Sequence, residues 1–195
     1  MATAEDLKAP MFLLAMPQVS DPFFQRSVVL LLAHEEEGSF GFIVNRRTEL
    51  RVADILKDLG VGWAGDTTTL AGFGGPVQPQ VGTVLFASDD PELTGLPGVT
   101  EILPGVRLTQ NLAELARLAE RPPERFRLLL GYAGWGPGQL VEEILRNDWL
   151  TAPVAGELVF GDETETAWER GLRAVGVDPE TLPAWTGGDS DGGAN

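Results

Sequence analysis

The stretch of this chain best suited to chemistry runs Gly131-Tyr132-Ala133-Gly134-Trp135-Gly136-Pro137-Gly138-Gln139-Leu140. An apolar strand passes into a glycine-rich loop and then into a helix. Free backbone N–H groups and a helix dipole at such a corner can hold an anion. Glycines let a ligand approach the backbone closely, some of Gly134, Gly136 and Gly138 are expected at positive φ, and Trp135 offers a face to a flat ring. The spacing matches neither the dinucleotide fingerprint nor the phosphate loop with its lysine. Glu142 and Glu143, in the first turns of the helix, oppose an anion beside them. The competing reading is structural: a tight strand-to-helix corner whose tryptophan packs in the core.

The other candidates are weaker. Gly74, Gly75 and Pro76 lie in a second glycine cluster, Gly72 to Val77, which leads into a strand and so lacks a dipole; a bulged turn explains it. His34 is the sole histidine and sits where an apolar strand meets Glu35-Glu36-Glu37. It can act as a lone acid or base, contribute a polar contact to a ligand, or be a hydrogen-bonded strand-end residue. A triad or a histidine-ligated zinc centre is hard to build around one histidine. Asn45 and Arg46 end a strand, where Asn45 either positions a ligand or fixes a turn. Asp21-Pro22 forms a turn before it serves as a base. No serine lies in a Gly-x-Ser-x-Gly elbow, and Asp89-Asp90 is a weak Mg²⁺ candidate at most. The chain has no cysteine, which removes thiol nucleophiles, zinc-thiolate sites, iron–sulfur clusters and disulfides. No catalytic residue, metal site or cofactor is therefore assigned.

The elements that must hold these residues alternate between periods of two and 3.6. Strands are predicted at Met11–Met16, Ser27–Ala33 and Phe40–Asn45, the last two as an antiparallel hairpin across an acidic turn. Thr48 caps a helix over 49–59 ended by Gly60. Thr68–Ala71 and Val81–Ala87 are strands, 89–98 a loop, and Val99–Leu103 and Val106–Leu108 short strands. A helix capped by Thr109 covers 110–119 with Leu112, Leu115 and Ala119 inward. Phe126–Tyr132 is a strand. A helix over 137–146 opens on Pro137 and turns Leu140, Val141, Ile144 and Leu145 inward. Leu158–Phe160 is a short strand. The last helix opens on an Asp162/Glu165 capping pair, buries Trp168, Leu172 and Val175, and stops at Gly176. Without a steady strand–helix alternation the pattern predicts α+β: one compact domain over 1–185, a largely antiparallel mixed sheet packed with about four helices, and a disordered tail over 186–195.

The chain has 195 residues, with 29 acidic and 14 basic side chains giving a net charge of −15. A domain of this length needs no disulfide or metal to hold a core. The charge repels nucleic acid and anionic lipid on average. The two possible basic patches, Arg46/Arg47/Arg51 and Arg117/Arg121/Arg125/Arg127, are each bordered by acids. The N-terminal stretch does not read as a signal peptide, and no apolar run approaches the ~20 residues of a membrane helix. A soluble, cytoplasmic protein is expected.

Together the segments resemble the AlgH/YqgE family of bacterial proteins. The resemblance is carried by Pro17, Asp21, Pro22, Phe24 and Arg26-Ser27-Val28; by His34, Gly38, Gly41 and Asn45-Arg46; by Gly74-Gly75-Pro76-Val77; and by Gly131 to Leu140 with Glu143-Ile144, Asn147-x-Trp149-Leu150 and Trp168. It spans roughly Ala9 to Leu182. Two departures stand out: Arg47 replaces a frequent proline, and Leu32-Ala33 replace a frequent Cys-Glu pair. The resemblance implies a compact α+β domain and little about activity, since members are described as uncharacterised proteins or as transcriptional regulators.

The expectation drawn from residues and resemblance is a non-enzymatic binding or regulatory protein acting through an unknown protein partner or a small molecule, with direct DNA binding and membrane association unfavourable. The alternative is an enzyme or nucleotide binder built on the Gly134–Gln139 loop, with Trp135, Asn45 and His34 around one pocket. In either case Asn45–Arg46, Gly74–Val77 and Gly134–Gln139 are expected to converge on one rim, because binding residues concentrate on loops at strand ends.

Overall fold

The structure is a computed structural model that describes residues 7–161 and 164–183. The postulated cap residue Asp162 and the tail over 186–195 lie outside the described residues, and nothing is described of the Glu165 side chain. Ten strands form one curled sheet: β1 Met11–Ala15, β2 Val28–Glu35, β3 Gly38–Ile43, β4 Arg47–Arg51, β5 Leu70–Phe73, β6 Val77–Ala87, β7 Val99–Leu103, β8 Val106–Thr109, β9 Arg125–Trp135 and β10 Trp149–Ala152. The order is β10-β1-β2-β3-β9-β6-β8-β7, with β4 paired to β5 and β5 to β9. All pairs are antiparallel except β5 with β9. The fold class is mixed α+β, as the sequence pattern predicts.

Six α-helices are present among the described residues, two more than expected: α1 Val52–Asp58, α2 Pro91–Thr94, α3 Leu112–Glu120, α4 Gln139–Leu145, α5 Gly156–Phe160 and α6 Thr164–Ala174. They explain why β1 and β2 read as unbroken apolar runs. Successive side chains of a strand face opposite sides, and both sides are covered here. Phe12, Leu14, Val28 and Leu30 pack with Leu158, Val159, Ala167, Trp168 and Leu172 of α5 and α6. Leu13, Ala15, Val29 and Leu31 pack with Trp135, Leu140 and Trp149. A third cluster joins α1, α2 and α3 to β6 and β9 through Leu56, Leu93, Leu118, Phe86 and Leu128. Each fully buried Leu, Val or Phe contributes about 1.5–3 kcal/mol.

Several boundaries differ from the sequence expectation. The region from Arg47 to Arg51 is a strand and not a helical turn, because it pairs with β5. Thr48 does not cap a helix; its hydroxyl donates to the Ala71 carbonyl across that pair, 2.9 Å away. Region 89–98 contains α2, capped by Asp90, whose carboxylate accepts the Glu92 N–H. Helix α3 is capped by Asn111 and not by Thr109, and Leu112 is exposed. Leu158 to Phe160 is helical, and β10 went unpredicted. Leu145 is exposed and Val175 only half-buried. The largest difference is at β9, which continues through Tyr132 to Trp135. Most of the glycine–tryptophan segment is therefore strand, and the turn to α4 begins only at Gly136.

Strand β9 is the spine of the site. One edge carries β6 along Arg125–Tyr132. The other carries β5 at Leu129–Leu130 and then β3 at Ala133–Trp135.

Candidate functional site

Asn45 and Arg46, just beyond β3, are bound into the chain. The Asn45 side-chain oxygen accepts the Val28 N–H at 2.7 Å, and its amide donates to the Arg26 carbonyl at 2.9 Å. This clasps the turn in which Arg26 takes a positive φ of 53°. The Arg46 guanidinium donates to the Pro22 carbonyl at 2.8 Å and also to the Gln25 carbonyl. Burial lowers its pKa below the ordinary arginine value, which nearby Asp21 partly counters.

Gly74, Gly75 and Pro76 link β5 to β6. The Gly74 N–H donates to Leu130 O, and the Ile43 N–H donates to Gly74 O, each at 2.8 Å. Gly75 (φ 152°) and Gly131 (φ 70°) face one another across this joint. A Cβ on Gly75 would lie 2.1 Å from the Tyr132 carbonyl carbon, and one on Gly131 2.2 Å from Gly75 O. Backbone–backbone approach accounts for both glycines, since only a residue without Cβ fits such a contact.

The Gly134–Gln139 segment closes on itself. The Gly136 N–H donates to the Gln139 side-chain oxygen at 3.0 Å, and the Gln139 amide donates to Glu143 Oε1 at 2.9 Å. Trp135 and Trp149 both donate their indole N–H to Glu143 Oε2, each at 2.8 Å. The two rings meet edge to face at 5.9 Å, and Phe24 packs against both. Glu143 therefore serves as a shared acceptor for two nearly buried indoles, and does not stand as a free acid at the helix start. Of the three glycines, Gly138 alone takes a positive φ, 73°, directly before α4. Pro137 precedes that residue and lies outside the helix.

The corners do not all share one rim. Gly74 meets the end of β3 at Ile43, Gly75 lies against the Tyr132–Ala133 part of β9, and the neighbouring Phe73 N–H donates to the Arg46 carbonyl. Gly136 lies against Gly38, at the opposite end of β3 from Asn45. Seven residue steps lead from Gly38 to Asn45, six of them through or just past β3, a span of at most roughly 23 Å at ~3.3 Å per residue. His34 pairs across the hairpin with Ser39, its Nδ1 2.7 Å from Ser39 Oγ. No described pocket is lined by Trp135, Asn45 and His34 together.

What the β9 spine does create is a broad, solvent-open cleft of about 670 Å³. The β2–β3 hairpin forms one side, with Glu35, Glu37, Ser39 and Phe40; the start of β6 forms another, with Val77, Gln78 and Val81. Gln110, Tyr132, Gly134 and Trp135 complete it. Phe40 and Tyr132 pack with ring centres 5.0 Å apart and planes tilted by 51°. Trp135 adds only an edge, being 6% exposed. Gln78 holds a positive φ of 48° in the irregular stretch where β6 leaves its register with β9. The volume lies within the range of small-molecule sites, about 300–1,000 Å³. The lining has two carboxylates and no lysine or arginine. Sequence reasoning found Gly134, Trp135 and, at the end of the Gly74–Val77 corner, Val77, and missed the rest. Tyr132, the sole tyrosine and a member of the glycine motif, was the available signal.

Elsewhere most described arginines are tied to carbonyls or to acids. Arg127 donates to the Val44 and Gly161 carbonyls, Arg121 bridges Asp90 and Glu92 at 3.1 and 3.0 Å, and Arg117 lies 4.0 Å from Glu114. Among the described residues, no three His, Asp or Glu side chains are grouped to hold a metal ion, and no helix is long and apolar enough to cross a membrane.

Comparison with known proteins places this geometry. A family model described as AlgH-like matches residues 12–180. A UPF0301 protein of Myxococcus xanthus is 44% identical over 175 residues, covering 89% of this chain and 94% of its own. One from Ruegeria pomeroyi is 38% identical over 178 residues, covering 90% and 95%. The solution structure of the AlgH protein from Pseudomonas aeruginosa superposes with a TM-score of 0.72 at 31% identity, covering 86% of this chain and 88% of that one. A crystal structure from Corynebacterium diphtheriae has a TM-score of 0.73 at 24% identity over 89% of each chain, a likeness of fold alone. The chain belongs to the AlgH-like, UPF0301 family of uncharacterised proteins.

Proposed function

We propose that this protein is a non-catalytic binding module of the cytoplasm, with regulation as its role, and that it recognises a small molecule or a side chain of a partner protein in the β3–β6–β9 cleft. The observation that carries the reading is the cleft itself: an aromatic pair, Phe40 and Tyr132, flanked by the amides of Gln78 and Gln110 and by Glu35 and Glu37. Apolar surface with a few directional polar groups is the common composition of ligand sites. Of the sequence-marked residues, Val77, Gly134 and Trp135 belong to the site. Asn45, Arg46, Gly74, Gly75, Pro76, Gly136, Gly138 and Gln139 support it as framework, and His34 acts through Ser39. Amide chemical-shift mapping against a pool of small fragments tests this. Shifts confined to 35–40, 77–81 and 132–135 support the reading; shifts confined to other surfaces overturn it.

One observation favours a second reading. His34 Nδ1 and Ser39 Oγ lie 2.7 Å apart, within the reach of a base and its nucleophile, and Ser39 lines the cleft. Against it, Ser39 is 8% exposed, and among the described residues no carboxylate hydrogen-bonds His34. Labelling of Ser39 by a fluorophosphonate probe, lost in Ser39→Ala, would convert the module into a hydrolase; absence of labelling leaves the binding reading in place.

A further inference from the structure

We infer that the ligand of this cleft carries an organic cation, an alkylammonium or guanidinium group; this rests on the cleft being the recognition site. Three features meet there. The formal charge on the lining is of one sign, from Glu35 and Glu37, and Glu36 sits between them in the turn. The aromatic surface comes from Phe40 and Tyr132, whose ring faces carry negative potential that attracts cations. The remaining polar groups include the amide side chains of Gln78 and Gln110, and one of these already has a partner: Gln110 donates to Thr83 Oγ1 at 2.8 Å. An anion would meet two carboxylates with no cationic side chain in the lining, and a phosphate-bearing ligand is disfavoured on the same ground. The whole-molecule charge of −15 adds a long-range field that draws cations inward.

The cleft has room for more than an ammonium head. At about 670 Å³ it also accepts an aliphatic stem lying along Val77 and Val81. Both a free amine and a lysine or arginine side chain on a peptide present this chemistry, and the test separates them.

The full chain, labelled with ¹⁵N, is titrated at low salt with choline and with its neutral isostere 3,3-dimethyl-1-butanol. Parallel arms use spermidine and agmatine as free amines, and the capped tripeptides acetyl-Gly-Lys-Gly-amide and acetyl-Gly-Arg-Gly-amide. The expected result is that choline shifts Phe40, Tyr132 and Gly134 amides and binds about tenfold more tightly than the isostere. That preference shrinks as salt rises toward 0.5 M, on the order of a Debye length of a few Å. Glu35→Gln with Glu37→Gln, both at exposed positions, lowers the preference severalfold while leaving the fold intact, and Tyr132→Leu lowers it without changing cleft charge. Tighter binding by spermidine or agmatine than by the tripeptides assigns a free amine; the reverse order assigns a basic peptide. Equal binding by choline and its isostere within the cleft overturns the cation inference and spares the site. Cation binding that ignores the two glutamate substitutions overturns it too. Shifts from every probe at surfaces remote from the cleft overturn both the inference and the site.

Discussion

Glu143 is the residue whose loss should reveal how the glycine–tryptophan segment is held. Its Oε2 accepts the indole N–H of Trp135 and of Trp149, while Oε1 accepts the Gln139 amide. The two indoles belong to residues only 6% and 5% exposed, so Glu143→Ala strands two nearly buried donors. A stranded buried donor costs about 1–3 kcal/mol. Gln139 is exposed and recovers its bond from water. Glu143 is itself half-buried, so water entering its place returns part of the loss. The net expectation is about 2–4 kcal/mol for Glu143→Ala, and less for Glu143→Gln, which keeps one oxygen for the indoles but turns an NH₂ toward the Gln139 amide. Urea unfolding followed by far-ultraviolet circular dichroism reads this without depending on the altered tryptophans. At a slope of ~2 kcal/mol per M, the Ala midpoint falls by about 1–2 M. In a Trp135→Phe background one donor is already gone, so the same substitution costs roughly half as much. A midpoint drop under about 0.3 M, or no coupling to Trp135→Phe, would refute the shared-acceptor account.

Further outcomes follow from the same geometry. Gly75→Ala and Gly131→Ala should each destabilise by more than ~1 kcal/mol, where a strain-free glycine replacement would stabilise slightly, because the added Cβ meets backbone at 2.1 and 2.2 Å. Gly136→Ala, where the nearest atom is 3.9 Å away, should leave the urea midpoint unchanged. Fluorescence polarisation with duplex DNA at physiological salt should give no binding tighter than the non-specific range of about 10⁻⁴–10⁻⁶ M, since most described arginines are tied to carbonyls or acids. The exposed Asp66 carboxylate is held below its usual pKa by the backbone N–H and the hydroxyl of Thr68. Its folded-state pKa being depressed, its contribution is present above the unfolded value of about 3.9 and fades as pH falls further. Asp66→Asn should therefore flatten that part of the acid-denaturation curve, measured by midpoint against pH.

How much of this was legible depended on the reach of each interaction. The runs at β1, β2 and β9 and the glycine stop after α6 were readable because burial on both faces and local chain geometry write themselves into neighbouring residues. Strand β4 was not: Arg47-Thr48-Glu49-Leu50-Arg51 has helix-compatible spacing, and only its pairing with β5 about twenty residues later makes it extended. Leu158 to Phe160 is an apolar run too short to tell strand from helix by period. The cleft was invisible for the same reason as β4, since its walls come from residues near 37, 79, 110 and 133. Trp135 was recognised as either ligand platform or core. Its indole partner could not be chosen from sequence, because Glu143 is reached only after the chain turns at Gly138.

The central claim, that recognition occurs in the β3–β6–β9 cleft, is tested most directly by blocking that cleft. Val81 lines it on an unpaired stretch of β6, so Val81→Trp fills space without disturbing the sheet register. Amide shift maps of the wild-type chain and this variant are recorded with one fragment pool, alongside their urea midpoints. The account predicts shifts over 35–40, 77–81 and 132–135 in the wild type, their loss in Val81→Trp, and matching midpoints. Identical shift maps in the two proteins would contradict it.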